Sequence, residues 1–185
     1  MESKIIPTSL SVNGKDYNII KLLGKGKGGY SYLAKDEDSQ GLFVLKEIHH
    51  EKCDYYQFGN KIEAERWDYK RLTDAGIPMP KMIDIDIENE RILKEFIDGP
   101  TVDELVIKTD GNIGDELFSM VRKMADLAMA AGLNIDYFPT NFVLEGGKLY
   151  YVDYECNPYM EQWNFENWGI KYWSMTPEFR AHFKV

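Results

Sequence analysis

Short runs of apolar residues in the first half of the chain predict a small sheet. The runs are residues 17–23, 30–35, 42–48, 81–87 and 91–96. Each has the length of a strand and is bounded by glycine, proline or polar residues. Together they predict five antiparallel strands.

One helix interrupts this strand-rich half. Apolar residues recur at helical spacing over residues 57–75, and Gly76 ends the pattern. The apolar set is Ile62, Trp67, Tyr69 and Leu72. Pro78 and Pro80 then prevent the helix from resuming, so the next strand can begin.

Helical spacing dominates the second half of the chain. Thr101, with Glu104 three residues later, is the signature of a capped short helix. Residues 115–131 carry a single apolar stripe and predict the longest helix. Residues 142–145 and 148–152 flank two glycines and predict a hairpin.

A break in the pattern at Asp98-Gly99-Pro100 predicts a hinge between two lobes. Residues 1–97 would form a first lobe of strands with one helix. Residues 98–185 would form a smaller, mainly helical lobe. The predicted fold class is therefore α+β with two unequal lobes.

Composition narrows the functional classes. The chain has 185 residues, 44% of them hydrophobic, and a formal net charge of −9. The acidic balance argues against nucleic acid as the main partner, because phosphate binding needs clustered lysine and arginine. Cys53 and Cys156 lack metal-site spacing, and no apolar run resembles a signal peptide or a membrane span. We therefore expect a cytoplasmic protein without a membrane partner.

A glycine-rich turn follows the first predicted strand. Residues 24–29 satisfy the pattern G-x-G-x-x-G through Gly24, Gly26 and Gly29. A strand-like run follows, which favours a β-hairpin covering phosphates over a dinucleotide-binding turn. Lys25 and Lys27 add positive charge there. A turn without any ligand is the alternative that the motif alone leaves open.

A lysine in a strand is the next candidate. Lys46 is flanked by apolar residues in the third strand, and Glu65 lies on the following helix. A half-buried lysine needs an anion, so the two could pair and hold Lys46 towards phosphates. Glu63 points to another face of the helix. An outward-facing lysine is the alternative.

An acidic cluster surrounds the predicted hairpin. Asp136 precedes Asn141 by five residues, and Asp153 follows the second hairpin strand, with Glu155 close behind. Hard oxygen ligands of this kind suit Mg²⁺, and Asp136 could accept the proton of a substrate hydroxyl. Alternatively, each of these residues only forms a turn or caps a loop.

In this order, these motifs resemble those of the protein kinase-like superfamily. The resemblance implies ATP between two lobes, with adenine against the backbone of Glu95 and Ile97. The glycine-rich turn would cover the phosphates, and Lys46 would hold them, supported by Glu65. Asn141 and Asp153 would carry Mg²⁺, and Asp136 would be the catalytic base.

The chain departs from typical members at several motifs. The usual His-Arg-Asp is Asn134-Ile135-Asp136, which removes the anchor of a phosphorylated activation loop. Asp-Phe-Gly is replaced by Asp153-Tyr154-Glu155. Lys94 stands where an apolar residue is usual beside the adenine. Few residues follow Asp153, so the chain resembles a minimal, atypical bacterial or archaeal-type kinase with a reduced second lobe.

The C-terminal stretch is rich in aromatic residues. They are Trp163, Phe165, Trp168, Tyr172 and Trp173. They would complete the core in place of missing helices. The alternative is a docking surface for a partner protein or a second copy of the chain, because aromatic residues dominate interface hot spots.

Three functional hypotheses follow from these residues. The first is a Mg·ATP-dependent kinase acting on serine or threonine hydroxyls. The second, suggested by Asp153-Tyr154-Glu155, is a small-molecule kinase of the choline, aminoglycoside or sugar type. The third is a nucleotide-binding pseudokinase or assembly module. The sequence does not identify the acceptor.

Overall fold

The computed structural model of the protein describes residues 6–51 and 59–185. By their internal contacts the residues fall into two compact units. Unit 1 comprises Met1–Arg66 and Pro80–Phe96, and unit 2 comprises Trp67–Met79 and Ile97–Val185. The α+β fold class is confirmed. The predicted lobe boundary between residues 97 and 98 remains a prediction.

Unit 1 contains an antiparallel sheet in the order β1-β2-β3-β4-β6-β5. The strands are β1 (Ser9–Val12), β2 (Lys15–Lys25), β3 (Gly29–Lys35), β4 (Leu42–Ile48), β5 (Met82–Asp86) and β6 (Arg91–Glu95). All five predicted strands are present at nearly the predicted positions. The apolar side chains buried between them are Val12, Tyr17, Ala34, Leu45 and Leu93.

The predicted count of five strands was one too few. Strand β1 has only four residues, too short for its alternation to stand out, and the turn Asn13-Gly14 joins it to β2. Both turn residues have positive φ, as a tight hairpin requires. The Asn13 amide N–H donates to Asp86, and its side chain donates to Asp84, at 2.9 and 2.8 Å. The turn of the first edge strand is thus bonded to the other edge strand.

Helix α1 spans Lys61–Asp74, whereas the prediction began at residue 57. Residues 57 and 58 lie outside the described part of the chain. Ile62 and Leu72 are buried as predicted. Trp67 belongs to the same apolar set but is not buried, since its side chain is 62% exposed.

Unit 2 contains the remaining helices and two short sheets. The elements are α2 (Val102–Lys108), α3 (Asp115–Ala130), β7 (Leu133–Ile135), β8 (Phe142–Glu145), β9 (Lys148–Tyr151), β10 (Cys156–Pro158) and α4 (Pro177–Phe183). The predicted hairpin is β8–β9, and β7 pairs with β10. The Thr101 N–H donates to the Glu104 carboxylate at 3.0 Å, as the capping pattern predicts. Strands of three residues leave no periodic signal, so β7 and β10 were not predicted.

The predicted hinge residues are bonded to the β8 strand within unit 2. The Leu144 N–H donates to the Pro100 carbonyl at 3.0 Å. The Asp98 N–H donates to the Glu145 carboxylate at 2.7 Å. Their role as a hinge remains a prediction.

The C-terminal aromatic residues are mostly part of the unit 2 core. Phe165 and Trp173 are fully buried in it, and Trp168 and Tyr172 pack against it. Trp163 differs, because half of its side chain is exposed. The interpretation as a completed core therefore holds for four of the five residues named from the sequence. Among the described residues, no helix is both long and apolar enough to cross a membrane.

Candidate functional site

The predicted lysine–glutamate pair is present in unit 1. Lys46 lies on the interior strand β4, and Glu65 lies on α1. Their side chains are 10% and 13% exposed, and Nζ lies 2.5 Å from Oε1. Glu63 instead faces Arg66 near the surface. The lysine is therefore held in place and turned inward, not outward from the sheet.

The glycine-rich turn passes directly over this ion pair. A Cβ atom at Gly28 would lie 3.2 Å from the Glu65 carboxylate and 3.5 Å from the Lys46 amine. A Cβ atom at Gly29 would lie 2.4 Å from the Glu47 carbonyl, so strand packing requires glycine there. At Gly24 and Gly26 a Cβ atom would meet no described atom within 4 Å. Packing does not require those two glycines.

Two side chains hold the carbonyl groups of this turn. The His49 ring contacts the Gly26 carbonyl through Nε2 at 3.0 Å, and its Nδ1 accepts the Glu51 N–H at 3.2 Å. Nδ1 is therefore unprotonated, and Nε2 carries the proton that it donates to Gly26. The buried Lys61 ammonium donates to the carbonyls of His49 and Lys27. These contacts draw the carbonyls of the turn towards β4 and α1.

Lys25 is engaged at the surface beside the turn. Its ammonium donates to Glu51 at 2.6 Å and lies over the Tyr30 ring. The Tyr30 hydroxyl donates to the same carboxylate. These two hydrogen bonds lower the pKa of Glu51 to about 2, and the bond from Lys25 has the larger effect. Lys25 would have to leave Glu51 to reach a phosphate.

The residues predicted to face adenine lie at and just after the end of β6. The Glu95 N–H donates to the Lys81 carbonyl, and its carboxylate accepts the Lys81 N–H at 3.1 Å. The Ile97 side chain is buried. Lys94, flagged as unusual, is also buried, on β6 between Val44 and Met82. The adenine role of Glu95 and Ile97 remains a prediction.

In unit 2, hydrogen bonds connect Asp136 with Asn141, and Asn141 with the residue before Asp153. The Asn141 side-chain amide donates to the Asp136 carbonyl at 3.3 Å. The Asn141 carbonyl accepts the Val152 N–H at 2.8 Å, which fixes the residue before Asp153. The Asp136 carboxylate accepts the Phe138 N–H, and that of Asp153 accepts the Tyr154 N–H. Folding thus brings Asp136, Asn141 and Asp153 together.

Few carboxylates are available in this cluster to bind a metal ion. Within residues 6–51 and 59–185, no group of three or more histidine, cysteine, aspartate or glutamate side chains could hold a metal ion. Mg²⁺ is commonly bound by one or two carboxylates together with substrate phosphates and water. Asn141 uses its amide nitrogen on Asp136, so its oxygen is the atom that could bind a cation.

Buried aromatic residues hold the segment that contains Asp136. The Trp173 indole N–H donates to the Tyr137 carbonyl at 2.8 Å, and both side chains are buried. The Phe138 ring contacts the rings of Trp168 and Tyr172. The aromatic C-terminal stretch therefore fixes the backbone on the C-terminal side of Asp136.

Sequence reasoning missed the part that several residues play in supporting the site, although it placed Trp173 in the core. They are Gly28, His49, Lys61, Tyr151 and Trp173. Gly28 could have been found from the glycine doublet that it forms with Gly29. The others contact backbone groups, and such contacts leave no fixed spacing in the sequence.

Comparison with solved structures identifies the fold. The kinase domain of BubR1 superposes with a TM-score of 0.60 at 18% sequence identity. The match covers 83% of this chain and 51% of that domain's chain. The chain has a protein kinase-like fold. This likeness shows the fold and assigns no activity to the kinase-like chain.

Sequence comparison adds one curated relative. It is a probable bifunctional tRNA threonylcarbamoyladenosine biosynthesis protein of Methanobrevibacter smithii, 29% identical over 154 residues. The match covers 80% of this kinase-like chain and only a quarter of the relative. No family model matches the sequence.

Proposed function

We propose that the protein is a Mg²⁺- and ATP-dependent phosphotransferase that transfers the γ-phosphate of ATP to a hydroxyl group. The observation that carries this proposal is the Lys46–Glu65 ion pair beneath Gly28. A nearly buried lysine, held by a carboxylate and covered by glycine backbone, is suited to binding an anion. The kinase-like fold supports the same reading.

The residues of unit 1 would bind the phosphates of the nucleotide. Glu65 restricts Lys46, so its charge stays directed at phosphate oxygens and loses little side-chain entropy on binding. Gly24 and Gly26 have no packing role, which leaves backbone free to approach phosphate closely. His49 and Lys61 hold the carbonyls of the turn, which keeps these negative dipoles from repelling the phosphates.

The residues of unit 2 would perform the transfer. Asp136 would accept the proton of the acceptor hydroxyl as that oxygen forms a bond to the γ-phosphorus of ATP and the bond from this phosphorus to the departing ADP breaks. Asn141 and Asp153 would hold Mg²⁺, whose charge offsets that of the phosphates when it is bound. Asn141 also hydrogen-bonds the backbone of Asp136, so both roles depend on one local structure.

Phosphate transfer from labelled ATP tests the proposal directly. The wild type should label itself, a protein or a small-molecule acceptor, or release phosphate to water, in the presence of Mg²⁺. Lys46→Met, Asp136→Asn and Asp153→Ala should each lower this rate by about a hundredfold or more.

Matched controls are available on the surface. Lys21 lies exposed on β2, and Asp126 lies exposed on α3. Lys21→Met and Asp126→Asn should retain the wild-type rate. A wild type without transfer to any acceptor, or an Asp136→Asn variant with the wild-type rate, would contradict the proposal. ATP-dependent thermal stabilisation without turnover would favour the pseudokinase alternative.

The identity of the phosphate acceptor is the more specific part of the proposal. Serine or threonine hydroxyls are the leading candidates, and a small metabolite is the alternative suggested by Asp153-Tyr154-Glu155. Labelling of a cell extract by the wild type, compared with Asp153→Ala, would identify a protein acceptor. ADP release in a metabolite screen would identify a small one.

The M. smithii relative favours a second, more specific candidate. Its name links it to tRNA threonylcarbamoyladenosine biosynthesis, and its aligned segment covers most of the kinase-like chain. We propose that the protein could serve that modification through its ATP-dependent activity. The net charge of −9 favours contact with a partner protein over direct tRNA binding. Loss of the modified nucleoside from tRNA after gene deletion, restored by the wild type but not by Asp153→Ala, is the expected result.

A further inference from the structure

A single buried hydroxyl connects the two loops of the acidic site. Tyr151 is the last residue of β9, and its side chain is fully buried. Its hydroxyl donates to the Glu155 carbonyl at 2.8 Å and accepts the Asp136 N–H at 3.2 Å. One side of the bridge is therefore the Asp136 backbone, and the other is the backbone two residues beyond Asp153.

The ring that carries this hydroxyl is fixed on several sides. The Tyr151 backbone N–H donates to the Pro78 carbonyl at 2.9 Å. The ring packs against Phe142, its cross-strand neighbour, with centroids 5.3 Å apart. Because both ring and backbone are held, the hydroxyl has a defined position and can determine where its two partners lie.

The Tyr151 hydroxyl is a phenol, which is protonated at neutral pH. A protonated phenol can donate to Glu155 and accept from Asp136 at the same time.

We infer that Tyr151 is a positioning residue that sets the distance between Asp136 and Asp153. This inference rests on the proposed phosphotransferase function and deepens it. The hydroxyl ties the loop of the base to the loop of the cation ligand, so a change at either loop is transmitted to the other. Asn141 makes a second connection, through the Asp136 carbonyl and the Val152 N–H.

Tyr151→Phe removes the bridge and keeps the ring. A small misplacement of reacting groups can cost up to a hundredfold in rate, so kcat should fall by about ten- to a hundredfold. The KM for ATP should change by less than about twofold, because the residues proposed to bind its phosphates lie in unit 1. The Mg²⁺ concentration needed for half-maximal rate should rise.

The neighbouring tyrosine is a matched control. Tyr150 is on the same strand, is only half buried, and lies beside Lys148. Tyr150→Phe should leave kcat, KM and the Mg²⁺ requirement unchanged. In an Asp136→Asn background, Tyr151→Phe should lower the residual rate much less than it does in the wild type, because the two changes then act on one step.

Hydrogen exchange in the wild type gives a measurement that does not depend on a variant's folding. The Asp136 amide should be protected, because it donates to Tyr151. An Asp136 amide that exchanges at the rate of an exposed loop would overturn the inference.

The kinetic outcomes separate this inference from the proposed function. If the wild type turns over and Tyr151→Phe has the same kinetics, the role of Tyr151 alone is overturned. The same holds if Tyr151→Phe has a lower melting temperature than the wild type but the same kcat. Absence of turnover in the wild type would overturn the proposed function, and the positioning role with it.

Discussion

The glycine-rich turn of unit 1 and the Asp136 segment of unit 2 are held in different ways. Polar side chains hold the turn. The His49 ring and the buried Lys61 ammonium contact its carbonyls, and Glu51 binds Lys25 at the surface. Buried rings hold the Asp136 segment, with Trp173 bonded to the Tyr137 carbonyl. The turn can therefore be disturbed by acid and by salt, whereas the Asp136 segment depends on packing.

The largest expected effect comes from removing the ring behind Asp136. Trp173→Ala should lower the free energy of unfolding by about 3–5 kcal/mol, because it empties a fully buried site. Chemical denaturation measures this loss. Trp173→Phe, which mainly removes the N–H donated to Tyr137, should cost about 1–3 kcal/mol. Equal stability of Trp173→Ala and the wild type would contradict the packed character of this segment.

The second effect is the loss of the ion pair in unit 1. Lys46→Met should cost about 3 kcal/mol, because it leaves the Glu65 carboxylate nearly buried without this cation. Adding Glu65→Leu should restore stability to within about 1 kcal/mol without restoring phosphate transfer. Urea denaturation and the labelled-ATP assay test the two parts separately. Recovery of transfer in the double variant would show that the pair is only structural.

A smaller effect on the stability of the protein is expected at acidic pH. The pKa of Glu51 lies near 2, below its ordinary 4.5, so its stabilising interaction is complete above about pH 4.5 and is lost as the pH falls towards 2. Glu51→Gln should therefore flatten the dependence of stability on pH in this window. Glu88→Gln, an exposed change in the β5–β6 turn, is the control and should keep the wild-type slope. The pKa of Asp36 is also lowered to about 2, mainly by its hydrogen bond from Lys15. Asp36 therefore contributes to the pH dependence of both the wild type and Glu51→Gln.

The smallest expected effect concerns the alkylation of the buried cysteine of unit 2. Burial raises the pKa of the Cys156 thiol to about 12, so only about one thiol in 10⁴ is ionised at pH 8. In a Cys53→Ser background, native protein should resist alkylation by iodoacetamide, and denatured protein should react fully. Mass spectrometry of the labelled protein decides this. Rapid labelling of the native protein would show that this region opens readily.

The sequence predicted most of the fold, because most of its elements are long enough to show a period. The strands β2–β6 and the helices α1 and α3 were found this way, whereas α2 was found from its capping pattern and β8 and β9 from the two glycines between them. Strands β1, β7 and β10 have three or four residues, too few to show a period, and no hairpin turn was recognised beside them as it was for β8 and β9. Trp67 fits the helical stripe and is nevertheless exposed, because spacing alone does not establish which apolar residues are covered.

For the candidate site, sequence reasoning named the candidate residues but not the contacts that support them. Lys46 and Glu65 could be paired because their spacing from the glycine-rich turn is informative, and the ion pair is present. The bonds that Tyr151 and Trp173 make to the Asp136 segment could not be predicted, although Trp173 was expected in the core, because a bond from a side chain to a distant carbonyl or N–H has no local signature. The catalytic and ligand roles themselves remain predictions for the assays above.

The hydrogen bonds at the edges of the unit 1 sheet affect the tendency of the protein to aggregate. Asn13 is bonded to Asp84 and Asp86, and the Arg91 guanidinium donates to the Ser11 carbonyl at 2.9 Å. An exposed edge strand invites pairing with other chains and aggregation. A variant starting at residue 15 would keep every predicted site residue and yet expose the edge of β2. Such a shortened chain should precipitate at concentrations where the full chain remains dispersed.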